Sequence, residues 1–261
     1  MTYCVGLLLD EGLVMASDCR TNAGVDHISS YSKLHVFQPA ADRIFVLLAA
    51  GNLATTREVV DRIRRDLDQA VNPRPSAFHQ QPSGPTLLDA NYLFEAAGYV
   101  GRLGLAVVDE HGPALRQVGA SPEATFILGG QIVGESHGLF LIYPQGNAIA
   151  ATPETPYLQI GESKFGKPEL DRFARPGLSL NDGARLCLIS LENTARANLT
   201  VAPPFEVAVC PRDQLALSNR LKLDADSPEL RALTDSWEDS QRRAFAALPA
   251  FRWEQTAATS I

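Results

Sequence analysis

The chain opens with two short apolar runs, Tyr3 to Leu9 and Leu13 to Ser17, parted by the polar turn signal Asp10-Glu11-Gly12. That order of runs and turn predicts a β-hairpin beginning at residue 3. Leu34 to Gln38 and Arg43 to Ala50 predict a second strand pair around the polar segment Pro39 to Asp42. Gly51-Asn52 then breaks the pattern and the spacing changes. Val59, Val60, Ile63, Leu67 and Val71 recur every three or four residues, which predicts an amphipathic helix with Thr55-x-x-Glu58 as its capping box. Asn72 to Pro85 holds four prolines and reads as a surface loop. A second helix is expected from Thr86 to about Arg102, weakened by Gly98, Gly101 and Gly104, with Leu103 to Val108 open to an extended reading.

Ala124 to Leu128, Gly138 to Tyr143, Asn147 to Thr152 and Tyr157 to Ile160 follow as strands separated by Gly-Gly, Pro-Gln-Gly and proline-rich turns. Pro168 to Phe173 predicts a short helix, Asp182 to Asn198 a longer one, and Glu206 to Cys210 a last strand. Runs of like elements favour an α+β fold with antiparallel sheets. Because many strands are apolar at consecutive positions, both sheet faces should be covered, as in two stacked sheets between helix layers. Residues 1–210 are thus expected to form the domain, and residues 211–261 an extension with a helix over Ser227 to Leu248 and a loose polar end from Glu254 to Ser260.

At 261 residues, 45% of them hydrophobic, the chain is long enough for one large core. A net charge of -7 opposes general affinity for nucleic acid or anionic lipid. No apolar stretch approaches the ~20 residues of a membrane helix, and no basic segment precedes the first run, so a cytoplasmic protein is expected. Cys4, Cys19, Cys187 and Cys210 are scattered without a C-x-x-C pair and read as buried free thiols of a reducing compartment. His27, His35, His79, His111 and His137 show no ligand spacing, so neither a metal nor a cofactor is expected.

The candidate chemistry gathers at the start. If Met1 is removed, Thr2 carries a hydroxyl and a free amine on one residue, and the amine can serve as the hydroxyl's own base. The second strand of the hairpin ends in Ser17-Asp18-Cys19-Arg20, returning a carboxylate and a guanidinium toward Thr2, and Lys33 precedes the next strand. Taken blandly, Asp18 and Arg20 are a surface ion pair worth about 0–1 kcal/mol, Lys33 is solvated and Gly51 is a turn glycine. Ser163, in Gly161-Glu162-Ser163-Lys164-Phe165-Gly166, misses the G-x-S-x-G elbow of serine hydrolases by one residue.

Thr2-Tyr3-Cys4-Val5-Gly6, Ala16-Ser17-Asp18-Cys19-Arg20, the phrase Arg20 to Asp26, Ser32-Lys33-Leu34, Ala50-Gly51-Asn52 and Lys164-Phe165-Gly166-Lys167-Pro168 together resemble a proteasome β-type subunit. Within that superfamily the chain is most similar to Anbu, the bacterial ancestral β subunit related to HslV-type peptidases. The resemblance implies a four-layer αββα sandwich of the N-terminal-nucleophile (Ntn) hydrolase class. It also implies Thr2 as nucleophile, Asp18 and Lys33 as the carboxylate and lysine that activate it, Gly51 as an oxyanion donor and Arg20 in support. Glu162, beside Ser163, stands where proteasome-type sites carry a serine, and Glu192 where they carry a later aspartate. The implied activity is a threonine-type endopeptidase acting on peptides within a homo-oligomeric ring or open spiral, its helices making subunit contacts and any unfoldase partner unspecified. A ring-forming scaffold with a vestigial site, and an amidase for one small metabolite, are the alternatives.

Overall fold

The structure is a computed structural model and describes residues 2–22, 28–72 and 84–257. In chain order its elements are β1 (Tyr3–Leu9), β2 (Gly12–Asp18), β3 (Arg20–Asn22), β4 (Ile28–Ser30), β5 (Leu34–Ala40), β6 (Arg43–Gly51), α1 (Leu53–Val71), α2 (Leu93–Gln117), β7 (Ala124–Ile132), β8 (Gly138–Ile142), β9 (Ala148–Ala150), β10 (Tyr157–Gly161), α3 (Lys167–Phe173), α4 (Leu180–Ala197), β11 (Phe205–Pro211), β12 (Asn219–Leu223), α5 (Pro228–Ala246) and α6 (Arg252–Ala257). Two antiparallel five-stranded sheets result, in the orders β10-β1-β2-β11-β12 and β5-β6-β7-β8-β9, with β3 and β4 as a separate ribbon. The fold is mixed, helices with antiparallel sheets, as the run of elements predicts. Among the described residues no helix is long and apolar enough to cross a membrane.

Side chains alternate across a strand, and in β1, β2, β6, β7 and β11 both faces are buried, which is why these strands are apolar at consecutive positions. Phe45, Leu47, Phe126 and Leu128 pack with Val59, Val60 and Ile63 of α1 and Ala97 and Val100 of α2. Their neighbours Ile44, Val46, Leu48 and Ile127 point the other way and meet Cys4, Leu13, Met15, Ala208 and Cys210 of the first sheet. The opposite face of that sheet, with Tyr3, Val5, Leu7, Phe205 and Val207, is covered by Leu170 of α3, Leu186 and Leu191 of α4 and Leu230 of α5. Every cysteine is a buried free thiol.

Several expectations need correction, and glycine explains two. Gly129 and Gly130 do not form a turn but lie inside β7. A Cβ on Gly129 would come within 2.5 Å of Met15 Sδ on the facing sheet, and one on Gly130 would overlap the Ile44 carbonyl. The second helix runs from Leu93 through Gln117, well past Arg102, and Leu103 to Val108 are helical. Gly101 sits under the Gly146 carbonyl, where any side chain would collide, so it permits contact rather than ending the helix. Thr86 to Ala90 form a turn instead, and the Glu95 carboxylate accepts the Asn91 N–H at 2.7 Å to fix the true start of α2.

The capping box at Thr55 does not form. Asn52 is the cap, its Oδ1 accepting from Ala54 N at 3.0 Å and Thr55 N at 3.2 Å, while the Thr55 hydroxyl donates to Pro122 O. The boundary expected at residue 210 falls inside a continuous sheet, since β12 pairs with β11 and both Leu223 and Leu230 are buried. The tail, expected to be loose from Glu254, is helical through Ala257. Met1, Ala23 to Asp26 of the phrase that begins at Arg20, His27, most of the proline-rich segment with His79, and residues 258–261 lie outside the described residues.

Because Leu230 is 4% exposed and Leu248 is 63% exposed, alanine at these positions should separate core from surface in the C-terminal part. Leu230→Ala is expected to cost about 2–5 kcal/mol, and Leu248→Ala about 0.5 kcal/mol or less, in urea unfolding. Equal effects would contradict this placement of α5.

Candidate active site

The start of β1 is held between the ends of two strands, Tyr3 opposite Gly161 of β10 and Cys4 opposite Ser17 of β2. Two bonds pin the backbone at Thr2: its carbonyl accepts the Glu162 N–H at 2.7 Å, and the next N–H, of Tyr3, donates to Asp18 Oδ1 at 3.0 Å. Gly161 has φ +83° and a Cβ there would overlap the Thr2 carbonyl, so the close approach needs glycine. Beneath lies a buried polar chain. Gln159 Nε2 donates to Tyr3 Oη at 2.5 Å and to the Ser163 carbonyl at 3.1 Å, Tyr3 Oη and Ser190 Oγ are 2.6 Å apart, and Ser190 donates to Gly166 O at 2.9 Å. With the Ser190 proton committed to Gly166, Tyr3 donates to Ser190, and the chain is satisfied in one direction.

Lys33 Nζ lies 2.7 Å from Asp18 Oδ1, with side-chain exposures of 6% and 0%, and also donates to the Arg20 carbonyl at 2.5 Å. Burial holds the Asp18 carboxyl above its ordinary range, and the Lys33 ammonium is the largest opposing influence. A buried ion pair is weak evidence for stability, because desolvation offsets the attraction. Its cost is better explained by what stands beside it. The Lys33 carbonyl accepts the Ala49 N–H at 3.1 Å, and the Ala49 carbonyl faces Cys4 Sγ at 3.8 Å, so Lys33, the end of β6 and the start of β1 form one contact.

β6 ends at Gly51, with φ +115° and no room for a Cβ against the Glu123 carbonyl, which also receives the Asn52 N–H at 2.9 Å. Ala50, Gly51, Asn52, Ser121, Glu123, Thr125 and Gly161 line a cleft of about 450 Å³. Gly161 belongs both to this cleft and to the seat of Thr2.

The structure therefore brings Thr2, Asp18, Lys33 and Gly51 into one neighbourhood, and it rules out two of the bland pictures. Lys33 is not solvated, and Arg20 does not pair with Asp18 but donates to Leu199 O at 2.8 Å. Glu162 is buried, accepting from Asn198 Nδ2 at 3.0 Å, with Lys164 Nζ 3.9 Å away. Ser163 supplies its carbonyl to Gln159. Glu192 pairs with Arg196 at 3.1 Å and lines, with Arg20, a different cleft of about 350 Å³ between α4 and α5. Asn198, which bonds the Glu162 carboxylate, is the C-terminal cap residue of α4.

Sequence reasoning missed Tyr3, Gln159, Ser190 and Asn198 as members of this network. Tyr3 is hidden in an apolar run, and the others sit more than 150 residues from it in the chain. Away from the site, Glu58, Glu110 and His111 bring three donor atoms within 4.8 Å of one another, a grouping no sequence spacing reveals. Arg62 already joins both carboxylates at 2.5 Å, so their charge is met without an ion.

No protein-family model matches the chain, and no curated protein does. Solved structures do. A Gly-1 mutant of Anbu from Hyphomicrobium sp. strain MC1 is 40% identical, with 96% of this chain and 99% of that one covered at a TM-score of 0.84. Anbu (ancestral beta-subunit) from Yersinia bercovieri is 38% identical over 96% and 99% of the chains at 0.85. A structure described as the helical assembly of the Anbu complex from Pseudomonas aeruginosa is 36% identical over 96% and 98% at 0.85.

Lys33→Met keeps the apolar stem and strands the Asp18 carboxylate in the interior. Removing one partner of a buried pair is expected to destabilise by about 3–5 kcal/mol at neutral pH. With its counter-charge gone, Asp18 has a folded-state pKa further above its unfolded value, so stability is retained at low pH and lost as pH rises through that raised pKa. Denaturant unfolding should thus show the deficit shrinking on acidification. A deficit that is constant with pH would contradict the buried pairing.

Proposed function

The chain belongs to the Anbu family of ancestral β subunits, and from that membership and the buried Lys33–Asp18 pair beside Thr2 we propose that it is an N-terminal-nucleophile hydrolase that cleaves peptides with Thr2. The pair is the observation that carries the reading. A charged lysine kept out of water beside the first residue of the hairpin has no structural need that an apolar residue would not meet better.

Removal of Met1 frees the Thr2 amine, whose ordinary pKa of about 7.7–8.0 leaves it a usable base near neutral pH. The Thr2 hydroxyl attacks the substrate carbonyl and its proton passes to the amine. The Lys33 ammonium, held by Asp18 and the Arg20 carbonyl, favours the alkoxide character that develops. The carbonyl oxygen becomes an oxyanion held by the Gly51 N–H, an interaction whose loss typically costs about 2.7–4 kcal/mol. The C–N bond of the tetrahedral adduct breaks, the departing peptide amine takes the proton from the Thr2 ammonium, and an ester remains on Thr2. Water, deprotonated by the Thr2 amine, attacks the ester, releasing the acyl half as a carboxylic acid and restoring the Thr2 hydroxyl.

The three stacked apolar cores support the four-layer αββα architecture of such hydrolases. The helical assembly described for the Pseudomonas aeruginosa protein supports self-association of this chain into a spiral or ring. Light scattering should accordingly find particles well above the 28.2 kDa monomer, and a monomer at micromolar concentration would contradict it.

An epoxyketone or β-lactone should label the processed protein once, on Thr2. Thr2→Ala should abolish the adduct without dispersing the oligomer, and Thr2→Ser should retain part of the rate. A form keeping Met1 should be inert, because its Thr2 nitrogen is an amide. Intact mass with peptide mapping checks each point. Absence of any adduct on the processed protein would favour the scaffold reading.

A further inference from the structure

Glu206 is a buried carboxylate to which the mechanism above gives no task. It lies on β11 opposite Ser17, on the strand face of Ala208 and Cys210, which pack between the two sheets. An apolar residue would continue that face at lower desolvation cost. Its Oε2 accepts the Ser32 hydroxyl at 2.5 Å, and Ser32 immediately precedes Lys33. Cys19, which immediately follows Asp18, turns its thiol to the same carboxylate. Burial first, and then the Glu206 charge, push that thiol up to about 12. The cations beside Glu206 are on β12: Arg220, 3.8 Å away and half exposed, and Lys222, which stands opposite Glu206 in the strand pairing and is exposed. Neither shares its burial, so neither explains why the carboxylate lies inside.

The segment that carries Lys33 depends on these ties. Residues 31–33 have no regular secondary structure, and the Tyr31 N–H donates to the Cys19 carbonyl at 2.9 Å. The Ser32 hydroxyl also faces Leu34 O at 2.9 Å. A lysine reaches its partner through a flexible four-carbon stem, so the position of its backbone decides whether the ammonium arrives.

We propose that Glu206 is a positioning residue for the site: by holding Ser32 and Cys19, the chain neighbours of Lys33 and Asp18, it sets the separation of that pair. The effect on rate rests on the reading of Thr2 as nucleophile, whereas the effect on the pair's geometry does not.

The test compares Glu206→Leu, Glu206→Gln and Ser32→Ala in the processed oligomer. The rate constant for β-lactone labelling should fall about 100-fold in Glu206→Leu, the scale of an ångström-sized misplacement, while labelling still runs to full stoichiometry. Glu206→Gln keeps an acceptor for Ser32 and should stay close to the unmutated rate, a rescue that mere space-filling would not produce. Crystal structures supply the independent arm. Lys33 Nζ and Asp18 should separate beyond about 4 Å, the limit of an ion pair, in Glu206→Leu. Unchanged labelling rate with the pair still at 2.7 Å would overturn the proposal. If the unmutated protein takes no label, the reading of Thr2 fails and the crystallographic separation alone decides on Glu206. If Glu206→Leu does not fold, Ser32→Ala cuts the same link from the loop side and carries both measurements.

Discussion

Everything at the candidate site depends on keeping one ammonium and one carboxylate in contact where water does not reach. Lys33 and Asp18 are both buried, and neither would be tolerated there alone. The pair is made tolerable by peptide groups: the Tyr3 N–H on the carboxylate and the Arg20 carbonyl on the ammonium. The same two contacts tie the pair to the backbone on either side of it. A charge pair in low dielectric, fixed by main-chain groups, is a preorganised field rather than a flexible surface bridge.

The stacked sheets exist, in this view, to keep that field in place. The start of β1 is pinned by β2 and β10, the end of β6 arrives from the other sheet, and the Lys33–Ala49 bond joins the two. The glycines occupy the points of closest approach: Gly161 against Thr2, Gly51 against Glu123, Gly129 against Met15. Each lets one backbone or side chain come nearer than a Cβ would allow. The cleft of about 450 Å³ lies where Gly51 and Gly161 make two of these approaches.

Much of this was legible in the sequence because it rests on local pattern. The opening hairpin, the second strand pair, the face of α1 and the helix before β11 all follow from spacing. The resemblance supplied Thr2, Asp18, Lys33 and Gly51, whose neighbourhood the structure describes. What was hidden has a common cause, that the deciding contacts are long-range. Gly129-Gly130 and Gly101 read as breaks because nothing local says that Met15, Ile44 or Gly146 presses on them. Thr55 read as a cap because the competing acceptor, Pro122 O, lies far along the chain. Asn198 went unnoticed because sequence carries the residue type but not the direction in which the end of α4 points, and it is the fold that brings it to Glu162. Glu206 is a lone acid in an apolar strand, and only the fold shows that Ser32 and Cys19 meet it.

The central claim is that the Thr2 hydroxyl and the Gly51 N–H face one reacting carbonyl beside the Lys33–Asp18 pair. A crystal structure of the processed protein with a peptide boronate tests it most directly. The account predicts a bond from Thr2 Oγ to boron, one boronate oxygen about 2.7–3.1 Å from the Gly51 nitrogen, and Lys33 still paired with Asp18. A boronate bonded to another residue, or bonded to Thr2 with its oxygens turned away from Gly51, would contradict it.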